Sequence, residues 1–549
     1  MRLIITILLL TSFVVNHAQS KTDSIRLIKE TANYYDLSFT DAEVDSMLEG
    51  LKENKDVYYK MHQHFPANDL AFPFAFVPAP GMKVPDKKEK ITWNIPKGTE
   101  LPVRRQDLAF YSIPQLASLI VNKKISSVEL TLFFLDRLKK WGDTLQCIIS
   151  LTEDIAMQQA RQADDELKKG IYRGPLHGIP YGLKDLFAVK GTMTTWGSAP
   201  YKDQRFDVDA YVYTQLRKAG AVLCAKLSLG ALAYDNKWFG GATKNPWNLA
   251  QGSSGSSAGS AAATAAGLLP FAIGTETWGS IVSPSNRCGA TGLRPTFGSV
   301  SRSGAMALSW SLDKIGPICR SAEDAAIVFA YINGTDDKDP GAINHTFSYT
   351  GKITDWKKLR IAYAANYFKR LPADAHEWKV LEVYRSLGAT VKAVNFPDSI
   401  IYPFDIMNVV ISAESAAAFD ELTRSNRDDM IERQDKNFWP NIFRTSRMIP
   451  AVEYINANRF RSQLCKDMQA FMSNYDVVIF PTHAGNQVAI TNLTGNPVVV
   501  MPDGFNKNGT PHSISLVGKL YDEATILAAA KAFQDKTDYN KKHPEKFRQ

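Results

Sequence analysis

Gly252-Ser253-Ser254-Gly255-Ser256-Ser257-Ala258-Gly259-Ser260-Ala261-Ala262-Ala263-Thr264-Ala265-Ala266-Gly267, an apolar run over 268–273, then Gly274-Thr275-Glu276-Thr277-Trp278-Gly279-Ser280-Ile281-Val282-Ser283-Pro284: this stretch decides the fold. Small residues in such density let backbone approach backbone, or a substrate, closely, and glycine supplies conformations that other residues resist. Two serine-bearing glycine turns flank an alanine-rich helix and a short buried strand. Each serine therefore sits on a loop held by rigid elements, a usual placement for catalytic groups. The rest of the chain must supply a base.

Upstream, Leu176-His177-Gly178-Ile179-Pro180-Tyr181-Gly182-Leu183-Lys184-Asp185 ends an apolar strand on a lysine. Burial favours the neutral form of a lysine, which is the form able to take a proton. The plainer reading pairs Lys184 with Asp185 at the strand end. Around these segments helix and strand patterns alternate. Ser112 and Ser126 begin helices and a third covers 154–169. Strands are predicted over 179–183, 221–225, 268–273, 360–364, 391–394, 477–480, 498–501 and 514–517, with a mostly helical segment over 400–472. The alternation predicts an α/β domain around a mixed sheet, without internal repeats.

Lys184, the Gly-Ser-Ser turn and Gly-Thr-Glu-Thr-Trp-Gly-Ser-Ile, in this order, resemble the amidase signature family of serine amidohydrolases. The likeness runs over about 106–535 and includes Asn245-Pro246-Trp247-Asn248, Gly292-Leu293-Arg294-Pro295-Thr296 and Asn492-Leu493-Thr494-Gly495. It implies a mixed β-sheet core covered by helices on both faces. It also implies a Ser-Ser-Lys triad in which neutral Lys184 draws a proton through Ser256, joined to Gly255 by a cis linkage, while Ser280 attacks an amide carbonyl. The oxyanion would rest on backbone N–H groups of Thr277, Trp278, Gly279 and Ser280. No cofactor and no metal are implied. The sequence departs from the family where Trp278, Ser254 and Ala258 replace glycines, and Trp278 is expected either to line the acyl pocket or to pack away from it.

Competing readings remain on the same residues. Gly255 to Gly259 also fits Gly-x-Ser-x-Gly with Ser257 as the nucleophile of an α/β-hydrolase-type esterase, but that motif must follow a buried strand and the preceding residues contain proline. Ser257 is otherwise a candidate substrate contact, as is His483 within Pro481-Thr482-His483-Ala484-Gly485. His177 and His512 read as structural or substrate-lining. A catalytically dead binding protein is disfavoured because all three triad positions are filled. The family also includes the catalytic A subunit of a tRNA-dependent amidotransferase, which works in a complex.

The flanks set the organisation. Residues 1–20 have a positive start, an apolar run over 3–15 and Ala18-Gln19-Ser20 at cleavage spacing, the layout of a secretory signal peptide, with an uncleaved anchor as the alternative. Residues 21–65 read as a helical extension in which Thr40-Asp41-Ala42-Glu43 forms a capping box. Residues 66–105 read as a proline-rich linker draped over the surface. The catalytic domain is expected over 106–545, with 400–475 as its helical substrate-side region. Five scattered cysteines specify neither a zinc site nor a disulfide framework and read as buried thiols. Among 549 residues, 45% are apolar and 22% charged, which argues against disorder, and a net charge of +8 without a dense basic block does not point to nucleic acid. The expected protein is an exported amidase, periplasmic or secreted, not inserted in a membrane once the signal is removed. Its substrate is a small-molecule or peptide-like, aryl or fatty amide; an exported chain meets no charged tRNA, which disfavours the amidotransferase role.

Overall fold

The computed structural model describes residues 21–61, 63, 68, 75–86, 91–397 and 403–549. The signal-like segment 1–20 lies outside them. The chain divides into two compact units, Met1–Ala67 and Asn68–Gln549. In the smaller unit, α1 (Lys21–Tyr34) and α2 (Asp41–Met61) are joined by Lys29–Asp41 and Lys21–Asp45 ion pairs. The capping box is present: the Thr40 N–H donates to Glu43 Oε2 at 2.7 Å and the Glu43 N–H to Thr40 Oγ1 at 3.3 Å.

The larger unit is built on an eleven-stranded sheet. Its strands are β1 (Ile148–Leu151), β2 (Pro180–Lys184), β3 (Val222–Leu227), β4 (Phe271–Glu276), β5 (Thr291–Arg294) and β6 (Lys314–Cys319), then β7 (Ile361–Ala364), β8 (Val391–Val394), β9 (Val477–Pro481), β10 (Val498–Phe505) and β11 (Pro511–Gly518). Their order across the sheet is β1-β3-β2-β4-β6-β5-β10-β11-β9-β7-β8. Parallel pairing joins β3, β2 and β4 on one side and β9, β7 and β8 on the other; the remaining pairs are antiparallel. All eight predicted strands are present. Three more, β1, β5 and β6, went unread: β6 carries Gly316 and Pro317, residues that argue against a central strand, yet it lies between β4 and β5.

The helices that begin at Ser112 and Ser126 both carry full capping boxes. Between the two serine turns, α3 (Ala258–Ala265) is buried along its whole length. Its small side chains let it lie close on β4, where Ser260 Oγ donates to the Ile273 carbonyl at 3.0 Å. The helix α4 (Val282–Cys288) follows the second turn, and α5 (Pro403–Ala418) and α6 (Ala451–Met472) make up much of the late helical region. All five cysteines are buried free thiols. Among the described residues no helix is long and apolar enough to cross a membrane.

Candidate active site

Lys184 ends β2 with no exposed surface. Its Nζ lies 2.8 Å from Ser256 Oγ, 2.8 Å from Thr275 Oγ1 and 3.2 Å from Ser257 Oγ. Burial lowers its pKa to about 7, although the carboxylates of Asp313 and Glu276 pull in the other direction. The alternative pairing of Lys184 with Asp185 is not seen. Asp185 is held instead by Lys226 of β3, Nζ to Oδ1 at 2.6 Å, and by the Thr195 N–H and hydroxyl.

The strand pairing explains this division. Successive side chains of a strand point to opposite faces, so Lys184 and Asp185 diverge. A one-residue irregularity between Tyr181 and Gly182 skips Cys224, after which Leu183 pairs with Lys226 and Lys184 with Leu227. Lys226 thus shares a face with Asp185, and Lys184 has the other face to itself. There β4 offers Gly274, where a Cβ would lie 2.7 Å from Ser257 Oγ, so only glycine leaves room for the serine turn.

That turn is held tightly. The Gly255–Ser256 peptide is cis, as the family resemblance implies. A Cβ on Gly255 would meet the Asp235 carbonyl oxygen at 1.8 Å. Ser257 is fully buried; its hydroxyl donates to the Thr275 carbonyl at 3.0 Å and accepts from the Thr275 N–H at 3.1 Å. It is therefore neither a substrate contact nor an esterase nucleophile after a buried strand: the strand-like segment before it, Asn248–Gly252, belongs to a separate two-stranded ribbon.

The second turn is joined to the first by a hydrogen bond from the Ser257 N–H to the Ser280 carbonyl at 3.1 Å. Behind it stands Glu276, fully buried. Its Oε2 accepts the N–H groups of Ile281 and Val282 at 2.8 and 2.9 Å, and its Oε1 accepts from Arg294 at 2.7 Å and Asn492 at 2.8 Å. Burial alone would raise this carboxyl's pKa, but Arg294 and these hydrogen bonds hold it down to about 2. The sequence contains Glu276, Arg294 and Asn492 in its family-like segments, yet their meeting around one carboxylate is not a spacing signal. Thr277 Oγ1 donates to Asp313 Oδ1 at 2.6 Å, and burial pushes the Asp313 carboxyl up. Ser280 is 9% exposed and Ser256 1%.

A cavity of about 70 Å³ lies beside Thr275 and Thr277. Leu186, Ala305, Met306, Leu308 and Ile315 give it apolar walls, with Asp313 and the Arg302–Asp339 ion pair among its polar groups. Trp278 is not part of this lining. It is half-buried against the cluster that includes Val282 and Leu312, next to Gly279, which takes the left-handed position of the turn (φ 89°). His483 is exposed and outside the lining. His177 is buried with Nε2 2.9 Å from the Ala163 carbonyl, and His512 lies between Asp503 and Glu377, so neither reaches the serines. Among the described residues of 400–475, none lines the cavity. The region braces the cavity loop from behind: Glu414 of α5 accepts from the Ser309 and Ser311 hydroxyls, and Arg461 of α6 donates to Ser311.

A buried lysine facing paired serine turns on a mixed α/β sheet defines the class. The chain belongs to the amidase signature family; the family model described as Amidase matches residues 129–490. It is 34% identical over 482 residues to the A subunit of the glutamyl-tRNA(Gln) amidotransferase of Bacillus licheniformis, covering 79% of this chain and 99% of that one. The same subunit of Psychrobacter sp. is 32% identical over 489 residues, with 79% and 98% covered. The native peptide amidase from Stenotrophomonas maltophilia superposes with a TM-score of 0.70 at 27% identity, covering 79% of this chain and 98% of that one.

Proposed function

We propose that this protein is an exported, free-standing amidase that hydrolyses a carboxylic amide C–N bond through Lys184, Ser256 and Ser280. The observation that carries the reading is the set of partners around Lys184. A neutral amine has two N–H bonds and one lone pair. Ser257 spends its own proton on the Thr275 carbonyl and so accepts one N–H, and Thr275 Oγ1 accepts another; the third contact, Nζ to Ser256 Oγ, reverses in the neutral amine, whose lone pair then accepts from the Ser256 hydroxyl. Three hydroxyls surround an amine that no carboxylate directly pairs, and burial favours its neutral form.

In the proposed reaction, Lys184 takes the Ser256 proton as Ser256 takes that of Ser280, whose Oγ adds to the amide carbonyl. Backbone N–H groups of the turn over 277–280 stabilise the oxyanion. The proton returns through Ser256 to the leaving nitrogen, the C–N bond breaks, and amine departs from an acyl-enzyme on Ser280. Water then adds through the same relay and releases the carboxylic acid. The export expectation rests on the sequence of residues 1–20 alone.

Ser280→Ala in purified protein, assayed against a panel of amides, tests the reading; persistent hydrolysis would sink it. A second reading, glutamine hydrolysis within an amidotransferase complex, is favoured by the identity to the A subunits of two bacterial amidotransferases. Including glutamine in the panel separates the two: turnover of glutamine alone, and only with partner subunits, selects the complex.

A further inference from the structure

The hairpin of β10 and β11 carries a cluster that the amide chemistry does not use. Its pairing passes from Pro502 with Ser513 to Gly504 with His512, which leaves Asp503 as an extra residue. Such a bulge re-aims the side chain it carries, and here Asp503 Oδ1 lies 2.7 Å from His512 Nδ1. The helix His376–Ser386 starts against the same point. A Cβ on Gly504 would collide with the His376 ring, so the glycine is what lets the helix start sit there. The second residue of that helix, Glu377, brings Oε1 to 3.4 Å from His512 Nε2.

Both ring nitrogens of His512 thus face carboxylates. A neutral imidazole has one N–H to donate, so on its other side a lone pair meets a carboxylate oxygen unless a cation stands between them. A proton in that place would set one imidazolium against two carboxylates. Both acids are buried, Asp503 at 1% and Glu377 at 5% exposure, and among the described residues neither pairs with a lysine or an arginine. Buried charge without a partner is costly. Asp503 Oδ2 is, in addition, buried with no hydrogen-bond partner. A divalent cation meets both conditions, with two positive charges for two carboxylates and a neutral imidazole as the third ligand.

The spacing permits it. One oxygen from each carboxylate and one nitrogen of His512 lie within 4.8 Å of one another. Some point is then no more than about 2.8 Å from all three, and side-chain movements of less than about 1 Å reach the bond lengths of zinc. An imidazole ligand selects zinc-like cations over magnesium and calcium. The His512 side chain is 28% exposed, which gives a cation a way in from solvent. Beside it, His376 donates Nε2–H to the Phe505 carbonyl at 2.9 Å, so its Nδ1 is a second buried lone pair without a partner.

We propose that Glu377, Asp503 and His512 bind a divalent transition-metal cation of the zinc type, which fastens the start of the helix His376–Ser386 to the β10–β11 hairpin. The site is structural and does not depend on the amidase reading.

The test is calorimetric titration of the untagged full chain, first stripped with a chelator, with zinc chloride. One zinc binds per chain with micromolar or tighter affinity, magnesium and calcium bind at least about tenfold more weakly, and zinc raises the Tm of the wild type. Glu377→Gln and Asp503→Asn each weaken zinc binding by at least about tenfold. Cobalt(II) bound to the wild type reads the ligands without any variant, and decides the matter if the variants fail to fold: X-ray absorption shows imidazole nitrogen and carboxylate oxygen. No zinc binding by the wild type overturns the proposal and leaves a proton between ring and carboxylate. Affinity unchanged in either folded variant, or a cobalt site with sulfur or without imidazole, overturns it as well.

Discussion

Lys184 and Lys226 sit on adjacent strands, both without exposed surface, and burial lowers the pKa of both. Their surroundings differ in one respect. Lys226 has a carboxylate at 2.6 Å, which supports its charged form, whereas Lys184 has three hydroxyls and the nearest influences of opposite charge, Asp313 and Glu276, act without direct contact. Burial by itself does not make a lysine a base. A buried lysine becomes one when its partners satisfy the neutral amine, and it becomes part of the frame when a buried carboxylate claims it.

The comparison breaks most plainly at the two side chains themselves. Lys184→Ala is expected to lower kcat/KM by about 10²–10⁴-fold, the range of a general base, while thermal unfolding stays close to wild type; a variant that folds and keeps full activity would end the distinction. Lys226→Ala should do the opposite. It leaves Asp185 buried and unpaired, which costs about 3–5 kcal/mol of stability, measurable by denaturant unfolding. Replacing the pair together, Lys226→Met with Asp185→Leu, should recover most of that loss, because no charge is then left buried without a partner.

Two smaller effects sharpen the electrostatic side. If neutral Lys184 is the working form, kcat/KM rises with pH through an inflection near 7, where the structure puts its pKa, and is flat above it; activity that falls on passing from pH 6 to 8 would contradict the assignment. Asp313→Asn removes one of the two carboxylates that raise the pKa of Lys184, so the inflection moves to lower pH. A shift to higher pH, or none in a folded variant, would show that Asp313 does not act on Lys184 through its charge.

Much of this site was legible in the sequence because its parts are local. The glycine-rich turns and the strand that ends at Lys184 are each set by a few neighbouring residues, while the cis Gly255–Ser256 bond was expected from the family resemblance alone. What was not legible is carried by long-range pairing. Thr275 was not singled out, since a threonine at a strand end is ordinary until Lys184 is placed beside it. The proline-rich stretch read as surface linker because composition reports chain stiffness and turn chemistry, not destination; Asn68 meets partners 239 and 350 residues away. Trp278 could not be placed from sequence; in the structure it packs against the cluster of Val282 and Leu312.

By itself, the sequence determined the α/β class, because hydrophobic period and glycine placement are properties of short segments, while the roles expected of the two serines and the lysine came from the family resemblance. Tertiary structure decided which lysine is left without a carboxylate. Without the irregularity at Cys224, the register that pairs Tyr181 with Leu223 would run on to set Lys184 beside Lys226 on one face. A strand alternates with a period of two, so one extra residue moves Lys226 to the other face, beside Asp185.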